Sequence, residues 1–221
     1  MPTAYNPRIL TRKGEADHMH RIVRNYGLFL EQTSALYHQA AQQHDVRCKR
    51  GCNECCANGF FDITLLDALH LHACVKKLPT DVRKRVVDRS NEQLDILEKK
   101  QAFSRKKPIL PTLASIDLVS RRSGKMSCPA LENGVCALYH IRPHICRIFG
   151  PTIRGKRRAV HLEGCGYFKR DIPEQDFPIL SNYADEDVLL KALFVKAGRK
   201  RIREIDTIIP AAIAMDLREW L

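Results

Sequence analysis

Apolar residues recur at three- and four-residue steps early in the chain, the spacing that places side chains on one face of an α-helix. Over residues 15–44 this pattern predicts one long helix. Thr64 begins a second helix, with Asp67 in the position of a capping box, and Pro79 ends it. Thr80 is predicted to cap a third helix that continues to about residue 101. The apolar positions of the first helix are Ile22, Val23, Tyr26, Phe29, Leu30, Leu36, Tyr37 and Ala40.

Proline, glycine and polar residues divide the rest of the chain into loops and short elements. Residues 46–60 predict an irregular loop, and residues 104–127 predict a connection. The Asn-Gly dipeptide at 133–134 is typical of a β-hairpin turn, which would bring Cys128 and Cys136 near each other at the open end of a ribbon. The other short elements are a turn into a helix over 141–149, a basic loop or second ribbon over 150–166, and helices over 182–197 and about 207–220.

These elements predict a fold that is mainly α, with a small irregular cysteine-rich core and a short β-hairpin. With 221 residues the chain can bury a core without covalent help. We expect an N-terminal helical extension (1–45), a cysteine-cluster domain (46–170) and a C-terminal helical extension packed on that domain (171–221).

The terminal segments give no sign of targeting to a membrane. Residues 1–17 are basic but lack the apolar stretch of a secretory signal. Residues 208–215 are interrupted by Pro210 and are too short to span a bilayer. We therefore expect a soluble cytoplasmic protein without a membrane partner. In that compartment thiols stay reduced, so clustered cysteines indicate metal ligands or redox groups before disulfides.

The nine cysteines form two groups and one isolated position. Cys74 lies alone on a predicted amphipathic helix, where it is expected to be a small buried hydrophobe. The first group has the spacing Cys-x3-Cys-x2-Cys-Cys. Since adjacent cysteines do not easily face the same way on a helix or strand, Cys55 and Cys56 predict a loop that wraps around a bound group. The eight candidate metal ligands are Cys48, Cys52, Cys55, Cys56, Cys128, Cys136, Cys146 and Cys165.

Eight thiolates exceed one tetrahedral metal site, and three arrangements fit them. One is two zinc sites of four cysteines each. Another is one iron–sulfur cluster on four cysteines, such as [4Fe–4S], with the others structural or holding a second metal. The third is a mixed site with histidine, for which His140, His144 and His161 lie nearby in sequence. Only Cys52-x2-Cys55 has paired zinc-knuckle spacing, which slightly favours the iron–sulfur cluster over zinc.

The spacing Cys48-x3-Cys52-x2-Cys55 also matches the fingerprint of radical S-adenosylmethionine enzymes. Glu54, however, stands where an aromatic residue usually precedes the last cysteine. The chain also lacks the strand–helix alternation of those enzymes, so this interpretation is disfavoured.

Four spaced motifs over residues 45–168 carry a resemblance to a known family. They are Cys-x3-Cys-x2-Cys-Cys at 48–56, Cys128-Pro-x-Leu, Gly134-x-Cys136-x-x-Tyr139 and Arg142-Pro143-x-x-Cys146-Arg147-x-Phe149. Together they resemble the YkgJ-type cysteine-cluster proteins (CxxCxxCC), which are described as a zinc- or iron-chelating domain. The resemblance implies metal chelation. A flagellin lysine N-methylase is similar in this module, which adds protein-lysine methylation as an alternative, although the chain lacks a glycine-rich nucleotide loop of the usual kind.

Two arginines that lie among the later cysteines in sequence could stabilise a metal site of this kind. A thiolate-bound cluster is anionic, and the guanidinium groups of Arg142 and Arg147 can hydrogen-bond its sulfurs or offset its charge. We therefore predict both as cofactor-binding residues. Tyr139 and Phe149 are expected to shield the site. No residue could be assigned a catalytic role.

The formal net charge of +12 is concentrated in short basic runs, which can contact phosphate groups. Few aromatic residues are interleaved with them, so base stacking is poorly served and solvated helix faces are favoured. An acidic protein and a nucleic acid are equally consistent as partners. The runs are Arg83–Arg85, Lys99–Lys100, Arg105–Lys107, Arg154–Arg158 and Arg199–Arg203.

The sequence as a whole predicts a cytoplasmic metal-binding protein that holds an iron–sulfur cluster or zinc through its cysteines, in a redox or structural role. Two alternatives remain. One is a protein-modifying enzyme related to flagellin lysine N-methylase. The other is a zinc-stabilised nucleic-acid-binding protein.

Overall fold

A computed structural model describes residues 12–43, 53–57, 62–110, 114–148, 153–154, 159–160, 188–193 and 206–220. The helices are α1 (Arg12–Gln43), α2 (Glu54–Ala57), α3 (Leu65–Val75), α4 (Thr80–Lys99), α5 (Ala114–Ser123), α6 (His144–Ile148), α7 (188–193) and α8 (Ile209–Ala214). The strands are β1 (Asp62–Thr64), β2 (Leu131–Glu132), β3 (Val135–Cys136), β4 (Ile153–Arg154), β5 (Ala159–Val160) and β6 (Asp206–Ile208). Single 3-10 turns lie at Tyr139–Ile141 and Arg218–Trp220.

Helices from the beginning, middle and end of the chain share one apolar core. α3 packs against α1 and α8, and α6 packs against α1. Burying the apolar faces of these helices is the main favourable contribution to the fold. A second buried group lies where α4, α5 and β6 meet. The largest side chains of the first group include Tyr26, Leu30, Leu66, Leu71 and Ile213, and those of the second include Leu94, Leu97, Phe103, Leu110 and Ile208.

Three antiparallel strand pairs connect distant or adjacent segments. β1 pairs with β6 in the register Asp62↔Ile208, which ties the segment before α3 to the segment before α8. β2 and β3 form the predicted hairpin. Its turn residues Asn133 and Gly134 both have positive φ, 48° and 77°, as a tight hairpin turn requires. β4 and β5 pair as a second ribbon, one of the two alternatives predicted for residues 150–166.

The predicted fold class, mainly α with a short hairpin, is confirmed. The first helix is confirmed as α1. The predicted cap is also present, because the Asp67 N–H donates to Thr64 Oγ1 at 3.1 Å.

Four local predictions were wrong. Residues 54–57, predicted to lie in an irregular loop, form the single helical turn α2, which carries both Cys55 and Cys56. Thr80 does not cap α4; Pro79 precedes the helix, and its carbonyl accepts the N–H of Arg83 at 2.9 Å. Residues 114–123 are helical rather than a connection, since the prolines lie before α5 and Gly124, with φ 73°, follows its end. The final predicted helix is shorter, because 206–208 pair with β1 and Pro210 lies in the first turn of α8.

The described parts of all three predicted regions contribute to the first core, through α1, α3 and α8. The boundaries proposed at residues 45 and 170 stay predictions. Within the described part of the chain, no helix combines the length and apolar character needed to cross a membrane.

Candidate metal centre

Three segments bring five of the predicted ligands into one neighbourhood. Cys55 and Cys56 lie on α2. Cys128 precedes the hairpin, Cys136 lies on β3, and Cys146 lies on α6. The Cys128 N–H donates to the Cys56 carbonyl at 2.7 Å, which joins α2 directly to the start of the hairpin segment.

Asn53 makes a second connection between α2 and the hairpin. Its backbone carbonyl accepts the N–H groups of Cys56 and Ala57, both at 2.9 Å, and so begins the single turn of α2. Its side-chain amide Nδ2 donates to the Gly134 carbonyl at 3.4 Å. The turn of the hairpin is thereby held beside the cysteine-bearing helix. This contact was not predicted, because an asparagine before a short turn carries no sequence signal for a partner so distant.

The adjacent thiols of Cys55 and Cys56 contact each other, with 3.9 Å between their Sγ atoms. This hydrogen bond lowers the pKa of Cys55 to about 7 and raises the pKa of Cys56 well above its ordinary value. The charges of Cys128 and Cys146 raise the pKa of Cys56 further. Cys55 is therefore the member of the pair that ionises first.

Burial governs the other three thiols. It raises the pKa of Cys128 to about 12, and the charges of Cys136 and Cys55 add to the effect. Burial likewise raises the pKa of Cys136 and, more strongly, that of Cys146. Because these charges act on one another, ionising all five thiols together is unfavourable without a compensating positive charge.

Arg142 supplies positive charge on this side of the molecule. Its charge opposes the effect of burial on Cys136 and Cys146 and contributes to the lowered pKa of Cys55. Its guanidinium Cζ lies 3.8 Å from the centre of the Tyr139 ring, and Nε donates to the Tyr139 carbonyl at 2.9 Å. The predicted contact of Arg142 with a bound cofactor stays a prediction.

Arg147 is buried and directs its donors to backbone and hydroxyl oxygens. Nε donates to the Arg142 carbonyl at 2.7 Å and Nη2 to the His140 carbonyl at 2.8 Å. Nη1 donates to Ser34 Oγ at 2.5 Å and to the Leu30 carbonyl at 3.4 Å. Arg147 thus ties the segment before α6 to α1. Its predicted contact with a bound cofactor stays a prediction.

Asp67 positions the helix that carries Cys146. The side chain is only 2% exposed, and both carboxylate oxygens accept the backbone N–H of His144, the first residue of α6. A negative group at a helix N-terminus satisfies an amide that lacks a partner within the helix. From its spacing to Thr64, Asp67 was predicted only to take part in the capping box of α3. Its position on the otherwise apolar face of α3 could have indicated a further partner, because a buried carboxylate needs hydrogen-bond donors.

Of the other residues considered in the sequence, some lie outside the part of the chain that the structure describes and the rest lie within it. Cys48, Cys52, Cys165, Phe149 and His161 lie outside the described residues. Cys74, expected to be a bystander, lies on α3 with its Sγ 3.6 Å from His70 Nε2, and burial raises its pKa. His144 is buried against Phe29, with 5.0 Å between ring centroids, whereas His140 is exposed.

The donor set fits a thiophilic metal. Thiolates bind zinc and iron–sulfur clusters alike, and metal binding displaces thiol protons. Cys55, Cys56, Cys128, Cys136 and Cys146 are the described residues that could hold such a group. Within the same part of the chain, no group of three or more Cys, His, Asp or Glu side chains has an arrangement that could hold a metal ion.

In comparisons with protein-family models, curated proteins and solved structures, nothing matches this chain. Its function is therefore inferred from the geometry and chemistry of this centre.

Proposed function

We propose that this chain is a cytoplasmic metal-binding protein whose cysteines hold an iron–sulfur cluster, in preference to zinc, in a redox or structural role. The convergence of Cys55, Cys56, Cys128, Cys136 and Cys146 from three separate segments is the observation that carries the proposal. Cys48, Cys52 and Cys165 are proposed to complete the ligand set.

Electrostatics supports a metal at this position over simple packing of neutral thiols. Buried cysteines can serve as small hydrophobes, but such residues do not need to gather around an arginine. Here Arg142 favours the ionised form of three thiols, and Cys55 has a pKa of about 7. Burial raises the pKa of Cys146, and the contact with Cys55 raises that of Cys56, with smaller contributions from the charges of the other thiols. A cation bound among the sulfurs would favour the ionised form of both.

The distribution of the ligands supports the iron–sulfur cluster over zinc. Structural zinc sites usually draw their cysteines from paired knuckles with short spacers. In this chain Cys128, Cys136 and Cys146 enter singly, from a segment end, a strand and a short helix. Separate single ligands are compatible with a cluster, which is bound by four thiolates. The buried guanidinium of Arg147 holds the backbone between Cys136 and Cys146 in place.

Anaerobic purification followed by iron, zinc and acid-labile sulfide analysis, together with an absorption spectrum, tests the proposal. We expect a brown protein that contains iron and sulfide. A colourless protein that binds zinc alone would exclude the cluster, and a protein that binds neither metal would exclude the metal centre.

Three serine variants connect the metal to these residues. Cys55→Ser and Cys146→Ser are expected to lower metal content and stability. Cys74→Ser, which also removes a partly buried thiol, should leave metal content unchanged. Equal metal loss in all three variants would argue against the assigned ligands.

A further inference from the structure

The basic residues of α4 differ in whether they form ion pairs, depending on which end of the helix they lie at. In its first half, three of the four cations are paired with carboxylates: Lys84 with Asp88 at 2.5 Å, Arg85 with Asp81 at 3.0 Å, and Arg89 with Glu132 at 2.7 Å. The fourth, Arg83, donates to the Lys76 carbonyl. At its end, Lys99 and Lys100 form no ion pair with any described carboxylate. Most of the positive charge in the first half of this helix is therefore paired, whereas the two lysines at its end have no ion-pair partner within the described part of the chain.

The end of α5 adds its own cations to the same place. Lys100 Nζ donates to the Ser123 carbonyl at 2.7 Å, and Arg122 Nη1 donates to the Gln101 carbonyl at 2.5 Å. A basic residue from the end of each helix thus donates to a carbonyl at the end of the other helix. The helix dipole makes this arrangement favourable, because the C-terminal end of a helix is partially negative. We call the resulting exposed surface the basic patch; it comprises Lys99, Lys100, Arg121, Arg122 and Lys125.

Two exposed apolar side chains accompany the basic patch. Ile96 precedes Lys100 by one helical turn and is 40% exposed, and Leu118 precedes Arg122 by one turn and is 42% exposed. Residues four apart lie on the same face of a helix. Each of the two helix ends therefore presents the same combination, an apolar side chain followed by cations.

We propose that the basic patch, with Ile96 and Leu118, binds an acidic segment of a partner protein that carries apolar side chains between its carboxylates. Protein interfaces combine charge complementarity with a few buried apolar anchors. A phosphate backbone would use the cations but would gain little from Ile96 and Leu118, and no aromatic residue lies in the patch to stack on bases. This surface is distinct from the cysteine centre, and the proposal does not depend on the metal.

Fluorescence anisotropy at low salt with three labelled probes tests this proposal. The probes are a peptide in which Glu is interspersed with Leu, a poly-Glu peptide of the same length and charge, and a short DNA duplex. We expect the Glu/Leu peptide to bind about tenfold more tightly than poly-Glu and more tightly than the duplex. Equal binding of the two peptides, preference for the duplex, or no binding of the Glu/Leu peptide would overturn the proposal.

Two matched charge reversals locate the binding surface. The double variant Lys99→Glu and Arg121→Glu is expected to weaken peptide binding about tenfold or more. The control, Lys77→Glu and Lys84→Glu, makes the same change in net charge away from the patch and should retain most of the affinity. Leu118→Ser should weaken binding of the Glu/Leu peptide but not of poly-Glu. Equal losses in the two double variants would show a general charge effect and reject the patch.

Discussion

The Asp67 carboxylate accepts the backbone N–H of His144 through both oxygens, with distances of 3.0 and 3.1 Å, across 77 positions of sequence. The contact is buried, so it joins the beginning of α3 to the beginning of α6 without competition from water. Because Cys146 lies two residues beyond the His144 amide, this contact also helps to fix the position of Cys146.

Asp67→Asn should destabilise the protein by about 1–3 kcal/mol, since the amide presents one acceptor where the carboxylate has two and lacks its charge. Urea denaturation of the purified variant measures the free energy of unfolding. Asp88→Asn, on the exposed face of α4, is the control and should change the stability little. If the two variants lost the same amount, the buried contact would not have the strength assigned to it.

Arg147→Lys should cost about 2–3 kcal/mol, because one ammonium group cannot reach all four of the acceptors that the guanidinium serves. Arg83→Lys is the comparison: Arg83 donates to one carbonyl, that of Lys76, at the surface. Thermal and urea unfolding of both variants provide the test. Stability close to wild type in Arg147→Lys would contradict the role of Arg147 as the tie between α1 and the segment before α6.

His70 makes the stability depend on pH. Burial, then the charges of Arg147 and Lys77, lower its pKa to about 4, whereas the unfolded chain protonates this histidine near 6.5. With His70 neutral in the folded protein, its contribution to the free energy of unfolding is fully present above pH 6.5 and is lost as the pH falls toward 4. With allowance for its partial exposure, the loss attributable to His70 is about 2 kcal/mol.

Urea unfolding between pH 7 and pH 4.5 separates this effect from other titrations. His70→Gln should lose less stability than the wild type over that interval, whatever its stability at pH 7. Cys74→Ser alters the contact partner but retains the imidazole, so it should follow the wild-type pH dependence. Parallel curves for His70→Gln and the wild type would refute the assignment.

Local signals were sufficient for much of the fold. The three- and four-residue spacing predicted α1, the Thr64–Asp67 pair predicted the start of α3, and the Asn-Gly dipeptide predicted the hairpin. Each of these depends on residues close together in sequence. The pairing of β1 with β6 was not predicted, because no periodicity or turn residue encodes a partner that distant.

The same distinction applies to the site. The grouping of the cysteines predicted a common centre, which stays a prediction. In the structure Cys55 contacts Cys56, and the Cys128 N–H donates to the Cys56 carbonyl. The residues that support this neighbourhood were missed or given another role. Asp67 and Asn53 act on backbone groups far along the chain, and such contacts are set by tertiary packing rather than by spacing.

Gly134 and Gly124 offer a matched pair of substitutions for testing the connection between the hairpin and α2. Both have positive φ, 77° and 73°, so alanine should cost about 1 kcal/mol at either position from the backbone alone. A Cβ at Gly134 would also lie 3.2 Å from Asn53 Nδ2, whereas one at Gly124 meets nothing within 4 Å. Gly134→Ala should therefore lose about 0.5–1 kcal/mol more, as the Asn53 amide is displaced from the Gly134 carbonyl.

A double-mutant cycle isolates that contact. In an Asn53→Ala background the extra cost of Gly134→Ala over Gly124→Ala should disappear, because the displaced amide is no longer present. Metal content should follow the same order, with Gly134→Ala losing more metal than Gly124→Ala, since Asn53 begins the turn that carries Cys55 and Cys56. Equal stability losses at the two glycines in the wild-type background would show that the hairpin does not depend on Asn53 for its position beside α2.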